Sequence, residues 1–110
     1  MRSFYILAGF PLAALATVNG HCSGDQATGE WRSKGICIST GTCTSYGGKY
    51  ITGACPNDPD NIKCCLVGRY PSTVNPCGGL SWCDWTSNSC SGTRPTGYCP
   101  GGDNYRCCKI

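Results

Sequence analysis

Past its first twenty residues the chain has no phenylalanine and no methionine, one histidine (His21), one glutamate (Glu30) and nine aliphatic side chains of the Ile, Leu and Val type. So few apolar groups cannot offset a chain entropy of about 1–2 kcal/mol per residue. One imidazole leaves Ser-His-Asp and Cys-His catalytic arrangements to His21 alone, at the edge of the mature chain. Neither C-x-x-C nor His-x-x-x-His occurs, so zinc spacing is missing. Acids are equally scarce: Asp25, Glu30, Asp58, Asp60, Asp84 and Asp103 are the whole set, and a glycosidase needs two facing each other across a cleft. From His21 onward eight Lys and Arg face six Asp and Glu, a net charge of +2, too mild and dispersed for a nucleic-acid surface. No catalytic residue, metal or cofactor is expected, and the chain is read as a non-enzyme.

Apolar sequence is concentrated at the start. Arg2 precedes a run from Phe4 to Val18, which reads as a secretory leader over residues 1–20. Ala14-Leu15-Ala16 offers a cut after Ala16, and Val18-Asn19-Gly20 a second that would free His21. No later stretch approaches the roughly 20 apolar residues that span a bilayer, so a secreted product without a transmembrane segment is expected.

Cysteine is abundant. All twelve follow the leader, and in an oxidising compartment they read as six disulfides standing in for the missing core. Aligning TGACPNDPDNIKCC, Thr52 to Cys65, with TGYCPGGDNYRCC, Thr96 to Cys108, brings the rest into register. Cys22, Cys37, Cys43, Cys55, Cys64 and Cys65 then match Cys77, Cys83, Cys90, Cys99, Cys107 and Cys108. The organisation is two six-Cys modules, residues 21–65 and 77–110, joined by the linker 66–76. The first carries an insertion, Ser23 to Ile36, expected as a surface loop. The linker's length leaves open whether the modules touch or swing apart. Only bonds within the adjacent pairs Cys64-Cys65 and Cys107-Cys108 are excluded, because they strain the peptide.

A small disulfide-rich fold with short strands and little helix follows from sixteen Gly and seven Pro. The best strands are Gly35 to Ile38, Asn61 to Val67 and Asn104 to Ile110. Thr52-Gly53, Thr96-Gly97, Asp60-Asn61 and Asp103-Asn104 are turn formers, with local structural jobs.

The motif Gly-x-Cys, Cys, Thr-Gly-x-Cys-Pro, Asn-x-x-Cys-Cys resembles a small cysteine-rich module of secreted fungal and other eukaryotic proteins, often found beside peptidoglycan-cleaving domains. Cys90 through Cys108 carries the closer match; Gly35 to Thr40 with Thr52 to Cys65 carries the other. No catalytic domain accompanies the modules in this sequence. The resemblance therefore implies a wall-associated accessory module standing in duplicate, without the hydrolase's activity.

Eight aromatics, Trp31, Tyr46, Tyr50, Tyr70, Trp82, Trp85, Tyr98 and Tyr105, nearly equal the aliphatics, and modules this small cannot bury them all. Flat rings stack on sugar faces. Trp31, Tyr46, Tyr50, Trp82, Trp85 and Tyr105 are the expected ligand contacts, with Trp82 and Trp85 on opposite faces if WCDW is a strand. The leading expectation is a non-catalytic binder of bacterial or fungal cell-wall polysaccharide, peptidoglycan before chitin, gaining avidity from two linked sites. The alternatives are a cationic antimicrobial or effector protein, for which +2 is low, and a protease inhibitor presenting Thr44 to Ala54.

Overall fold

The computed structural model describes residues 18–72 and 74–110; up to residue 17 the expected leader lies outside the described residues. Its centre is the strand that holds each cysteine pair. β1 (Ile36–Ser39) and β2 (Lys49–Ile51) flank β3 (Ile62–Leu66) in an antiparallel sheet of order β1-β3-β2. In the second half β4 (Trp82–Trp85) pairs antiparallel with β5 (Tyr105–Cys108).

The two halves keep the same register. Cys37 stands opposite Cys64, and Cys83 opposite Cys107. Adjacent strand residues point to opposite faces, so each cysteine pair sends one bond each way. The bonds are Cys22–Cys64, Cys37–Cys55 and Cys43–Cys65, then Cys77–Cys107, Cys83–Cys99 and Cys90–Cys108. Both halves thus join first to fifth, second to fourth and third to sixth, and no bond crosses between them. Loops of this size give each bond about 3–4 kcal/mol by chain entropy. The small disulfide-rich fold is therefore built twice on one plan.

The strands arise where β-branched and aromatic residues gather around cysteine, as expected for three of them. β2 and β4 are additional. In the second half β2 shrinks to one bridge, Thr93 with Lys109, equivalent to Lys49 with Leu66. A glycine precedes it in both halves for the same reason. A Cβ on Gly48 would lie 2.5 Å from the Cys65 sulfur, and one on Gly92 would lie 1.9 Å from the Lys109 carbonyl oxygen.

Two short helices complete the first half. α1 (Glu30–Lys34) lies in the insertion, and α2 (Thr40–Ser45) carries Cys43 toward Cys65. Ser39 starts α2 by accepting the Thr42 amide at its hydroxyl, as an N-cap does.

The halves share a core, which the linker length left open. Ile36, Ile38, Cys43, Cys65 and Val67 pack with Cys77, Cys83, Trp85, Tyr105 and Cys107 in one buried cluster. The insertion is the reason. The end of a helix leaves carbonyls without partners, and the second half supplies donors to three in a row. Asn88 Nδ2 donates to Ser33 O at 2.7 Å, the Tyr105 hydroxyl to Lys34 O at 2.7 Å, and Trp85 Nε1 to Gly35 O at 3.0 Å. The insertion lies mostly at the surface, as expected, and also serves as a bracket between the halves. The Cys83 amide adds a bond to Val67 O at 3.0 Å.

Residues before the first cysteine also belong to this body. The Asn19 amide donates to Cys37 O, the Cys37 amide to Gly20 O, and His21 bridges Ile36. The His21 ring then stacks on Trp85 with centroids 3.8 Å apart.

Candidate functional site

The linker leaves β3 at Leu66 and turns at Gly68, whose φ of 88° suits glycine. A Cβ there would sit 2.6 Å from Ser81 O and 2.7 Å from Trp82 Cα, so the bare backbone lets the linker run close over β4. That path lays Arg69 and Tyr70 against the neighbouring pair Glu30 and Trp31. Arg69 Nε and Nη2 hold the two Glu30 carboxylate oxygens at 3.1 and 2.6 Å, in a bidentate pair. Tyr70 stacks on Trp31 with centroids 5.8 Å apart. The rows continue outward: the Arg69 guanidinium lies 4.7 Å over the Trp82 ring, and Lys49 Nζ lies 5.1 Å from the Tyr70 centroid. Such cation–π contacts are worth about 0.5–1 kcal/mol at exposed positions.

Beside these rows runs an open groove of about 560 Å³, whose walls include Arg69, Tyr70, Asn75, Leu80, Trp82 and Ile110. Leu80 is 83% exposed, Ile110 63% and Tyr70 41%, an unusual density of uncovered apolar surface for so small a protein. Ile110 is held at the rim by its amide, which donates to the buried Ser81 hydroxyl at 3.1 Å.

Trp82 is fixed from behind. Its indole N–H donates to Asp84 Oδ2 at 3.2 Å, while Asp84 Oδ1 accepts from the Trp85 amide and from Asn88 Nδ2. Asp84 is 1% exposed. Burying a carboxylate costs several kcal/mol unless its oxygens are satisfied, and these three donors satisfy them. The matching position of the first half is Ile38, so the fold itself does not require an acid here.

Electrostatics follow from these pairings. Arg69 hydrogen bonding holds the Glu30 carboxyl below its usual range, and Glu30 raises Arg69 in return. Burial, with the Asp84 charge as a smaller cause, pushes the Tyr105 phenol well above the usual phenol range.

Of the six expected contact residues, Trp31 and Trp82 lie in or beside the groove. Tyr50 is exposed on the edge strand β2, and Tyr46 lines a separate crevice of about 270 Å³ with Ile38, Ile62 and Pro100. Trp85 and Tyr105 are corrected. They are 1% and 2% exposed and pack with rings 4.7 Å apart, opposite each other across β4 and β5 in the shared core. Trp82 and Trp85 do face opposite ways, as a strand requires. Arg69, Tyr70, Leu80 and Ile110 are not singled out by sequence, since their partners stand far off in the chain and only the folded linker gathers them. Trp31, Tyr70 and Trp82 gather into one composite surface across the join, while Tyr46, Tyr50 and Tyr98 stand apart from it.

The sulfurs of Cys77, Cys83, Cys99 and Cys107 lie within 4.8 Å of one another, and those of Cys22, Cys37 and Cys55 form a similar group. Every one is in a disulfide, and metal binding requires thiolate. These are stacked crosslinks, formed by the same two bonds in each half.

Among the described residues no helix is long and apolar enough to cross a membrane. No family model matches the sequence, and no solved structure matches it. An "uncharacterized secreted protein" of Arthroderma benhamiae is 42% identical over 93 residues, which are 84% of this chain and 33% of that protein. The chain therefore spans about a third of the length of the curated relative it matches. Six disulfides together with this likeness place the chain among secreted, cysteine-rich extracellular proteins.

Proposed function

We propose that the protein binds a cell-wall polymer without cleaving it, with peptidoglycan the first ligand to test and chitin the second. The observation that carries this reading is the groove where Tyr70 and Trp82 stand on a disulfide-stapled frame, with Trp31 stacked behind Tyr70. Rings held rigidly at the edge of a groove lose little entropy on contact with a sugar face. The resemblance of the duplicated motif to modules that accompany peptidoglycan hydrolases supports the same ligand class. The non-catalytic part of the proposal rests on the acids: Asp84 is buried and committed to three donors, and Glu30 is committed to Arg69.

Sedimentation of the oxidised protein with insoluble peptidoglycan, chitin and cellulose tests the reading. Depletion by a wall polymer, weakened when Trp82 or Tyr70 is replaced by alanine, is the expected result. Equal recovery in the supernatant with all three polymers would remove it.

A further inference from the structure

We propose that the groove recognises the uncharged glycan strand of such a polymer, by stacking on its pyranose rings, and not the charged peptide stems or other ionic groups. The inference rests on the wall-binding reading and narrows it to one chemical part of the ligand. It comes from the polar side chains lining the groove, most of which are already engaged inside the protein.

Arg69 is the cation in the wall, and its charge is balanced by two contacts to Glu30. The Trp82 indole N–H is taken by Asp84. Asn75 Nδ2 donates to Gly79 O and Ser81 O, and its Oδ1 accepts the Cys77 amide. The Ser72 hydroxyl accepts the Val74 amide. A carboxylate entering this groove would lose its water and find no unpaired cation among the lining residues, since Lys49, the nearest free cation, stands outside the lining with its Nζ over the Tyr70 ring.

What the groove still offers is the part of the Tyr70 and Trp82 rings left open beside Trp31, Lys49 and Arg69, together with the apolar groups of Leu80 and Ile110. Among the described residues the Tyr70 hydroxyl makes no hydrogen bond within the protein, which leaves one polar handle beside an aromatic face. That combination suits a sugar ring, whose axial C–H groups pack on an aromatic while its hydroxyls stay wet. Asp84 has a part in this choice. By consuming the indole N–H, it leaves Trp82 no free donor for a ligand.

The glycan strand of peptidoglycan and the chain of chitin share N-acetylglucosamine, and the experiment separates the two sources. A soluble N-acetylglucosamine oligomer and a free stem peptide compete for protein retained on intact peptidoglycan and on chitin. The oligomer should displace the protein from both polymers, and the stem peptide should displace it from neither. Because no net charge is used, the oligomer's affinity should change less than about twofold between about 0.05 and 0.5 M salt, a range over which ionic contacts weaken markedly. Tyr70→Phe should keep affinity within about threefold while Tyr70→Ala loses about tenfold, the pattern expected of ring stacking; unchanged near-ultraviolet dichroism shows that both variants fold.

Displacement by the stem peptide, failure of the oligomer to displace the protein, or steep salt dependence would overturn the inference and leave wall binding standing. Retention by no polymer would remove both.

Discussion

The hydroxyl of Tyr105 donates to the carbonyl of Lys34 at 2.7 Å, tying together residues 71 apart in sequence. The Tyr105 side chain is buried and its only hydroxyl bond crosses the join, which makes this bond a direct probe of it. Tyr105→Phe should lower stability by about 1 kcal/mol, because it removes this hydrogen bond. Denaturant unfolding of the oxidised protein measures it. A change near zero would mean that this bond contributes nothing to holding the halves together.

The same phenol sets a pH limit. Burial raises its folded pKa above the ordinary value of 10.0, so the folded state keeps a proton that the unfolded state releases. The unfolded chain then binds fewer protons, and stability falls as pH rises. The contribution is fully present below pH 10 and lost above it by up to about 1.4 kcal/mol per unit. Thermal melts from neutral to strongly alkaline pH should show the decline, with Tyr105→Phe lessening it.

Glycine substitutions should separate structural need from tolerance. Gly48→Ala brings a methyl within 2.5 Å of the Cys65 sulfur and 2.8 Å of the Cys43 sulfur, and should cut the yield of correctly oxidised protein severely. Gly41→Ala meets open space within helix α2 and should raise stability by up to about 1 kcal/mol. Refolding yields and melting curves of the two variants provide the comparison.

A peptide map should recover the six bonds with the same pattern in each half and no peptide joining residues 22–65 to 77–108. A single crossing bond would overturn the duplicate plan.

Surface tyrosines should behave unequally toward wall polymers. Tyr70→Ala should reduce retention about tenfold, whereas Tyr98→Ala, 51% exposed and outside the groove, should leave it unchanged. Pull-down against peptidoglycan reads both.

Much of the frame was legible because cysteine spacing and turn residues act locally. Thr52-Gly53 and Thr96-Gly97 do form matching turns, with Gly53 and Gly97 at φ of 89° and 87°. The disulfide pattern was not legible, since spacing leaves several pairings open until strand register chooses. The site was half legible. Trp82 reads as a contact from its type alone, but Trp85, of identical type three residues on, is buried because β4 turns it toward His21 and Tyr105. Glu30 and Arg69 gave no signal at all, standing 39 residues apart.

The three successive carbonyls of Ser33, Lys34 and Gly35 make the join directional. The first half offers acceptors and the second offers donors, and the equivalent positions elsewhere have diverged: Ser39 and Ile62 stand where Trp85 and Tyr105 do. Each mating face is therefore used once. Two copies of the first half, or two of the second, would lack this clasp. Unlike a solenoid, whose units stack through one repeated face, this join runs one way, from acceptors in the first half to donors in the second.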